Sequence, residues 1–366
     1  MAGGLTQNTA RARGVKILTK KTAFIAGIHT ILLSLGDDLH FVTNHEDKKE
    51  MKVILPVAGK GERMRPYTNN LPKCLLPVGG KTIIDWIVEG TLPLKPTETI
   101  FITGYKAEKM DEYLKARPEW GYTRTVLQSD PQGLGQAISL ALPYVNDDEP
   151  LLIILGDTLF DADIQSLANA TENVLYTYKV QDPRRFGVAV TNADRQIERL
   201  VEKPQEFVSD EAIVGIYYIK DVKELKKALQ HLISNDIRTR GEFQLTDALQ
   251  MMIEQGCKFR TAPVNEWLDC GLPETLIQTN TWLLQNRPML NNICHVVSQN
   301  KSMNNVKLIP PCNIGRNVII ENSTIGPNVA IGDNSVIKNA NIQNCVIWNN
   351  EEVHSSQISG QVIARC

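Results

Sequence analysis

Short apolar runs alternate with longer amphipathic stretches between residues 51 and 284. The apolar runs predict strands at residues 53–57, 99–103, 151–155, 174–180, 188–191 and 212–219. Apolar residues three and four positions apart predict helices at residues 83–90, 134–144, 222–233, 244–255 and 276–284. Because this alternation is typical of βαβ units, we predict an α/β domain whose largely parallel sheet carries helices on its faces, with active-site loops at the carboxyl ends of its strands.

The pattern changes beyond residue 308, where isoleucine recurs at intervals of five or six residues. The repeated positions are Ile314, Ile320, Ile325, Ile331, Ile337, Ile342 and Ile347. Near-hexad repetition is typical of a parallel β-helix in which each isoleucine points into a prism-shaped core. We predict a short left-handed β-helix over residues 308–366, of roughly two coils, which needs a packing partner in the first domain or in another subunit.

Residues 1–50 contain no acidic residue before Asp37, and an apolar stretch at residues 23–35 follows several lysines and arginines. This stretch resembles a signal-peptide h-region or a transit sequence, without a clear small-residue cleavage site. Alternatively, residues 1–50 are an upstream extension, because a second methionine, Met51, directly precedes the first predicted strand. We favour the extension and expect these residues to lie outside the core fold, which leaves residues 51–290 for the first domain.

The charge balance, the cysteines and the lengths of the apolar runs exclude several classes of protein. The 39 lysines and arginines nearly balance the 41 acidic residues, so the chain lacks the overall basic field that non-specific nucleic-acid binding requires. The seven cysteines form no C-x-x-C pair, which disfavours a disulfide framework and a zinc site. No apolar run reaches the roughly 20 residues of a membrane span. We expect a cytoplasmic protein that binds neither nucleic acid nor membrane.

The first predicted strand opens into a glycine turn followed by Arg63, Arg65 and Lys73. Backbone N–H groups at the end of a sheet, together with nearby cations, suit a polyphosphate ligand. Two familiar nucleotide motifs are incomplete. A dinucleotide fingerprint beginning at Gly59 has Met64 in place of its third glycine, and a Walker A loop ending at residues 80–82 has Leu75 in place of its first glycine.

The residues around this turn resemble the signature of sugar-phosphate nucleotidyltransferases. The matching positions are Gly59, Gly61, Glu62, Arg63, Met64, Pro66 and Thr68, then Pro72, Lys73, Leu75, Leu76 and Pro77. The chain departs from the common pattern at residues 56–58 and at Cys74, and neither change removes a charged group. Further family-like segments follow in the family's order at residues 128–137, 155–157, 186–188, 201–204, 215–217, 240–247 and 267–271.

The resemblance implies a Rossmann-like three-layer nucleotidyltransferase domain with a mostly parallel mixed sheet. It also implies roles for individual residues. The nucleoside triphosphate would contact Ala58, Gly59, Lys60, Gly61 and Arg63, with Gln128 and Gly133 at the nucleobase. Catalytic charge stabilisation would come from Arg63, Lys73 and Lys203, and sugar contacts from Gly187, Glu202, Lys203 and Gly215. Asp157 and Asp269 would share a Mg²⁺ ion, which prefers oxygen ligands.

The implied reaction joins a nucleoside triphosphate to a sugar 1-phosphate in an enzyme that we expect to be a homo-oligomer. Residues 130–137 look closest to glucose-1-phosphate thymidylyltransferases, while a glucose-1-phosphate uridylyltransferase and a mannose-1-phosphate guanylyltransferase remain alternatives. A non-catalytic subunit of the same fold is disfavoured because the implied charged residues are all present. His354, which lies after the isoleucine repeat, raises acyl transfer as an alternative, which we disfavour because the repeat is short.

Overall fold

The computed structural model describes residues 50–287, residue 290 and residues 302–365, together with the backbone of four N-terminal strands. The chain divides into two compact units, Met1–Lys49 and Glu50–Cys366. In the first unit Arg11–Ala12 pairs with Val15–Lys16, and His29–Leu35 pairs with Asp38–Asn44, both antiparallel. The apolar stretch at residues 23–35 therefore lies partly outside the described residues, and its described part is a strand.

A nine-stranded mixed sheet forms the centre of the second unit. Its strands are β1 (Lys52–Pro56), β2 (Glu98–Thr103), β3 (Thr123–Leu127), β4 (Leu151–Ile154), β5 (Asn173–Lys179), β6 (Gly187–Thr191), β7 (Ile197–Glu202), β8 (Glu211–Ile219) and β9 (Phe259–Pro263). The main order is β7-β6-β8-β4-β1-β2-β3, and β5 joins β8 to β9. Pairing is parallel from β4 through β1 and β2 to β3 and between β5 and β9, whereas β8 runs antiparallel to β4, β5 and β6.

Both faces of this sheet are buried. In β1, Val53 and Leu55 enter one hydrophobic cluster and Ile54 enters another; in β2, Phe101 and Ile102 divide in the same way. Successive side chains of a strand point to opposite faces of the sheet. A continuous apolar run therefore requires that both faces be packed against other elements. This explains why strands in the middle of the sheet are apolar throughout.

Six α-helices pack on the two faces of the sheet. They are α1 (Ile83–Thr91), α2 (Ala107–Lys115), α3 (Leu134–Ala141), α4 (Val222–Ser234), α5 (Leu245–Glu254) and α6 (Pro273–Asn286). Buried residues of α1, α2 and α6 belong to one cluster, and those of α3, α4 and α5 to the other. The predicted α/β fold, with a mixed sheet between two helical layers, is confirmed. None of the helices in this described part of the chain is long and apolar enough to cross a membrane.

A parallel β-helix follows. Its strands are β10 (Ser302–Leu308), β11 (Cys312–Ile314), β12 (Ile319–Ile325), β13 (Val329–Ile331), β14 (Val336–Lys338), β15 (Asn341–Gln343), β16 (Cys345–Ile347), β17 (Glu352–His354), β18 (Gln357–Ser359) and β19 (Val362–Ile363). Strands stack in parallel, as in the four-stranded sheet β11-β13-β16-β19. All seven repeated isoleucines are buried in one core, so the predicted β-helix is confirmed. Its length is greater than the roughly two coils expected, because four strands stack in this one sheet.

Asparagines form the corners between these strands. Asn317, Asn334 and Asn350 adopt positive φ angles of 57°, 61° and 63°. Their side-chain amides stack with successive N–H···O bonds of 3.2 and 3.4 Å, at separations of 17 and 16 residues. Asparagine tolerates the left-handed conformation better than other residues with a Cβ atom, so these three corners turn without a glycine.

The β-helix packs against α6 and the first domain. Asn280 of α6 is fully buried, accepts a hydrogen bond from the Gly79 N–H (2.9 Å), and donates to the carbonyl of Asn328 in the β-helix (3.2 Å). Val346 and Val362 of the β-helix belong to the same hydrophobic cluster as α1 and α6. The packing partner expected for the short β-helix is therefore the first domain of the same chain.

Candidate active site

The glycine turn follows β1 directly. Gly61 has a φ of 60°, and a Cβ atom there would lie 3.0 Å from the Lys73 Cβ and 3.0 Å from the Thr68 Cγ2. Thr68, which is fully buried, donates its hydroxyl hydrogen to the Gly61 carbonyl (2.9 Å). The turn is thus fixed against Lys73, and a side chain at Gly61 would separate them.

A cavity of about 1110 Å³ opens at the carboxyl ends of β1 and β4. Eight of the residues assigned from sequence line it: Ala58, Gly59, Lys60, Gly61, Arg63, Lys73, Gln128 and Asp157. Residues 56–57, 104–105 and 155–156 complete much of the wall. The carboxyl edge of parallel strands is where ligands bind in open α/β sheets, so the cavity lies where the strand order predicts a site.

Lys73 and Asp157 form an ion pair inside this cavity. The Lys73 Nζ lies 2.8 Å from the Asp157 Oδ2, and the side chains are 12% and 48% exposed, respectively. Lys73 begins a short 3₁₀ helix, Lys73–Leu75, whose next two residues are buried. The helix anchors the lysine, while Asp157 follows the end of β4 with its carboxylate open to the cavity.

A small antiparallel ribbon brings Asp269 to the same place. Thr158–Asp161 pairs with Glu266–Asp269, and Thr158 lies directly opposite Asp269. The Gly271 N–H donates to the Asp269 Oδ1 (2.9 Å), and a Cβ atom on Gly271 would lie 2.8 Å from that oxygen and 3.2 Å from the Arg63 Nη2. The Arg63 guanidinium and the Asp269 carboxylate therefore converge on Gly271 at the cavity wall.

The carboxylates of Asp157 and Asp269 are a donor set that suits Mg²⁺. Within the described ranges, no group of three or more His, Cys, Asp or Glu residues could hold a metal ion. A site with two carboxylates fits a hard cation that keeps several waters and takes further oxygens from phosphate, whereas it fits zinc poorly.

Gln128 also lines the cavity and is 6% exposed. Its backbone N–H donates to the Thr103 carbonyl (2.7 Å), and its Nε2 donates to the Gln136 Oε1 (2.7 Å). Among the described residues its Oε1 has no hydrogen-bond partner, so this oxygen is left as an acceptor for a ligand. Gly133 supports the same loop, since a Cβ atom there would lie 2.6 Å from the Phe243 carbonyl oxygen.

A second polar cluster gathers three of the residues assigned to the sugar. The Lys203 Nζ lies 3.3 Å from the Glu202 Oε1, and Thr246 donates its hydroxyl hydrogen to the Glu202 Oε2 (2.8 Å). A Cβ atom on Gly187 would lie 3.0 Å from the same Oε2 and 3.1 Å from the Thr246 Oγ1. Gly187 is therefore a place where backbone closely approaches the cluster.

Gly215, the fourth residue assigned to the sugar, lies beside the cavity and not in the cluster of Glu202 and Lys203. Its φ is 86°, and a Cβ atom there would lie 2.6 Å from the Leu155 Cδ1. Leu155, which lines the cavity, donates its N–H to the Gly215 carbonyl (2.9 Å). The absence of a side chain at Gly215 gives Leu155 its position.

Two residues of the second cluster have no assignment from sequence. The Arg240 Nη2 donates to the Lys203 carbonyl (2.7 Å), and Lys203 has an unusual φ of 46°. Burial raises the pKa of Asp247, with a smaller contribution from the negative charge of Glu202, and the Asp247 Oδ2 is buried without a hydrogen-bond partner within the described chain. The family-like segment 240–247 marks both residues but does not reveal their contacts.

Comparisons with known proteins agree with this geometry. The profile of the Nucleotidyl transferase family matches residues 15–286. The bifunctional protein GlmU of Methanocaldococcus jannaschii is 35% identical over 236 residues, which cover 64% of this chain and 54% of that relative's length. A glucose-1-phosphate thymidylyltransferase of Streptomyces antibioticus is 27% identical, over 76% of this chain and 81% of its own length.

A solved structure supports the same relationship. It is a putative glucose-1-phosphate thymidylyltransferase from Bacillus anthracis in complex with a sucrose, with 29% identity and a TM-score of 0.54. The match covers 63% of this chain and 94% of that one. The fold, the order of the signature segments and the family profile agree, and the chain belongs to the Nucleotidyl transferase family.

Proposed function

We propose that this protein condenses a nucleoside triphosphate with a sugar 1-phosphate, giving a nucleoside diphosphate sugar and pyrophosphate. The observation that carries the proposal is the ion pair of Lys73 and Asp157 in a cavity that Arg63 also lines. Cations beside a glycine turn fit a triphosphate, and the separate Glu202–Lys203 cluster fits a sugar phosphate.

In this reaction a phosphate oxygen of the sugar 1-phosphate attacks the α-phosphorus of the nucleotide. The bond between that phosphorus and the oxygen bridging to the β-phosphorus breaks, and the electron pair leaves with pyrophosphate. Both reactants are anions, so catalysis consists mainly of positioning and charge neutralisation. Arg63 and Lys73 would neutralise the triphosphate, and Lys203 would hold the phosphate of the sugar.

Asp157 and Asp269 would hold Mg²⁺. The ion would supply further charge neutralisation at the phosphates. Lys73 would remain near the Asp157 carboxylate and exchange part of that contact for phosphate oxygen when nucleotide binds. The half-exposed Asp157 side chain is free enough to turn towards a cation.

We propose dTTP and glucose 1-phosphate as the preferred substrates. The Gln128 Nε2 donates to Gln136, which leaves the Gln128 Oε1 as an acceptor for the N3–H of thymine or uracil. Guanine also presents a ring N–H, which keeps a guanylyltransferase as the alternative, whereas the ring nitrogen of cytosine is an acceptor. The names of the Streptomyces and Bacillus relatives favour glucose 1-phosphate.

The organisation of the protein is part of the proposal. Residues 51–290 would be the catalytic domain, residues 308–366 the β-helix domain and residues 1–50 an extension. The enzyme would act in the cytoplasm as a homo-oligomer. The five described cysteines, Cys74, Cys257, Cys270, Cys312 and Cys345, form no disulfide bond, which accords with a reducing compartment.

A substrate matrix tests the activity. Purified protein with Mg²⁺ is incubated with each of five nucleoside triphosphates and a panel of sugar 1-phosphates, and pyrophosphate is measured. We expect the highest kcat/KM with dTTP and glucose 1-phosphate, and loss of turnover when EDTA removes the metal. Release of no pyrophosphate with any pair would overturn the enzyme proposal in favour of a non-catalytic subunit.

A further inference from the structure

Tyr67 belongs to the nucleotide loop, residues 59–73, and contacts the β-helix. The Tyr67 hydroxyl donates to the Val362 carbonyl in the last coil (3.1 Å), and the Tyr67 ring lies 5.9 Å from that of Trp348 at an interplanar angle of 50°. These contacts join positions nearly 300 residues apart in the chain. They connect the carboxyl-terminal strands of the β-helix to the segment between Arg63 and Lys73.

Tyr67 is adjacent to the residue that fixes this segment. Its neighbour Thr68 is fully buried and donates to the Gly61 carbonyl (2.9 Å). From the other side, the Tyr105 hydroxyl donates to the Thr68 carbonyl (2.9 Å). Since Gly61 packs against the Cβ of Lys73, a displacement of Tyr67 would reach the glycine turn and the lysine through one residue.

Trp348 is held firmly on the β-helix side. Its backbone N–H donates to the Ile363 carbonyl (3.0 Å), and its carbonyl accepts the hydroxyl hydrogen of Ser335 (2.9 Å). Its indole Nε1 is buried and has no hydrogen-bond partner within the described residues. The ring therefore serves packing alone, against the cluster that contains Leu76 and Val362.

We propose that Trp348 and Tyr67 are positioning residues for the nucleotide loop, so that the β-helix of the same chain holds the triphosphate-binding turn in its binding conformation. The proposal rests on the proposed function for its kinetic consequence. Binding to a loop that is already ordered costs less conformational entropy than binding to a mobile one. We call the contacts of Tyr67 with Trp348 and Val362 the brace. Loss of the brace should therefore weaken nucleotide binding while leaving the sugar-phosphate cluster at Glu202 and Lys203 unchanged.

Kinetics of full-length variants test this effect. We expect Trp348→Ala to raise the KM for nucleotide by about tenfold, with the KM for sugar 1-phosphate within about twofold of wild type. Trp348→Phe should restore most of the loss, because it keeps an aromatic ring and gives up no hydrogen bond. Trp282→Ala is the matched control, since it removes another half-buried tryptophan, whose ring lies 5.4 Å from the Arg287 guanidinium.

Hydrogen exchange tests the brace without relying on activity. We expect faster amide exchange at residues 61–73 in Trp348→Ala and in the milder Tyr67→Phe, which keeps the ring and removes the hydroxyl that contacts Val362. Exchange in α3 should not change. A protein inactive on every substrate pair but showing this exchange pattern would overturn the proposed function and leave the brace intact.

Either of two results would overturn the proposal. One is unchanged exchange at residues 61–73 in both Trp348→Ala and Tyr67→Phe. The other is an equal rise in both KM values that Trp348→Phe fails to reverse, since this would indicate general destabilisation by a structural residue.

Discussion

Lys73 and Asp157 are 84 positions apart in sequence, and their side chains meet at 2.8 Å in the cavity at the carboxyl ends of β1 and β4. Lys73 is nearly buried, while Asp157 keeps half of its side chain exposed. The carboxylate orients the lysine ammonium towards the cavity without neutralising the whole site, because Arg63 and Lys60 line the same wall. The Lys73 ammonium would therefore already be oriented when a triphosphate binds.

Substitution of Lys73 by alanine should reduce kcat/KM by about 10²- to 10³-fold, because one preorganised charge at the α-phosphate is lost. The fold should persist, since the released Asp157 carboxylate is already half exposed. Lys109→Ala is the matched control, because it removes an exposed lysine paired with Glu112 at 3.0 Å. Pyrophosphate release measures the effect; turnover within twofold of wild type in Lys73→Ala would refute the role assigned to this lysine.

The orientation of the Gln128 amide should set base preference through Gln136. Glutamate at position 136 can only accept a hydrogen bond, so Gln136→Glu should keep the Gln128 Oε1 facing the base and preserve the preference for dTTP or UTP. Lysine can only donate, so Gln136→Lys should reverse the amide and present its Nε2. We expect the ratio of kcat/KM for CTP over UTP to rise about tenfold.

The two variants are controls for each other in this comparison. Both introduce a charge behind Gln128, and only the hydrogen-bonding direction differs. If Gln136→Glu shifted the preference towards CTP as strongly as Gln136→Lys, the charge itself would be responsible and the amide orientation would not set the specificity.

Strands and helices with broad apolar faces could be predicted from sequence. The isoleucine repeat predicts the β-helix because each repeated side chain is buried in one core. By contrast α2 (Ala107–Lys115) shows no clear pattern, since only Met110 and Leu114 are buried along a mostly charged helix. The edge strand β3 is also unrecognised, because none of its five residues is buried.

Part of the site could be anticipated by resemblance to a family, but its assembly could not. Asp269 lies near the strand end that carries Asp157 because Thr158 pairs with Asp269 in a ribbon, and no local pattern encodes that register. The contact of Tyr67 with Trp348 depends on how the β-helix docks on the first domain. Such long-range pairings are properties of the folded chain. The sequence motifs therefore identify residues of the site but do not show which of them are in contact.

An alanine at Gly271 should disturb the metal site. Its Cβ would lie 2.8 Å from the Asp269 Oδ1 and 3.2 Å from the Arg63 Nη2, and both groups would have to move. We expect the Mg²⁺ concentration for half-maximal activity to rise and kcat/KM to fall by about tenfold. Gly90→Ala in α1 is the control, since a Cβ there meets nothing within 4 Å. An unaltered Mg²⁺ requirement in Gly271→Ala would argue against Asp269 as a ligand.

Asp247 should make the protein less stable as pH rises. Burial, and to a smaller extent the charge of Glu202, raises the pKa of Asp247, so the folded chain holds this proton more tightly than the unfolded chain does. Between the ordinary aspartate pKa of about 3.9 and the raised value, the folded state therefore binds more protons, and the free energy of unfolding falls with increasing pH. At pH values above the raised pKa, the decrease in the free energy of unfolding no longer changes with pH.

Asp247→Asn should remove this loss of stability, because an amide of the same shape carries no charge. We expect a melting temperature about 2 °C above wild type at pH 7. The difference should shrink as pH falls towards 4, where the wild-type carboxyl also becomes neutral in both states. Asp194→Asn, an exposed turn residue, is the control and should leave the melting temperature unchanged at both pH values. A stabilisation of Asp247→Asn that did not depend on pH would mean that hydrogen bonding by the amide, and not removal of a buried charge, is its cause.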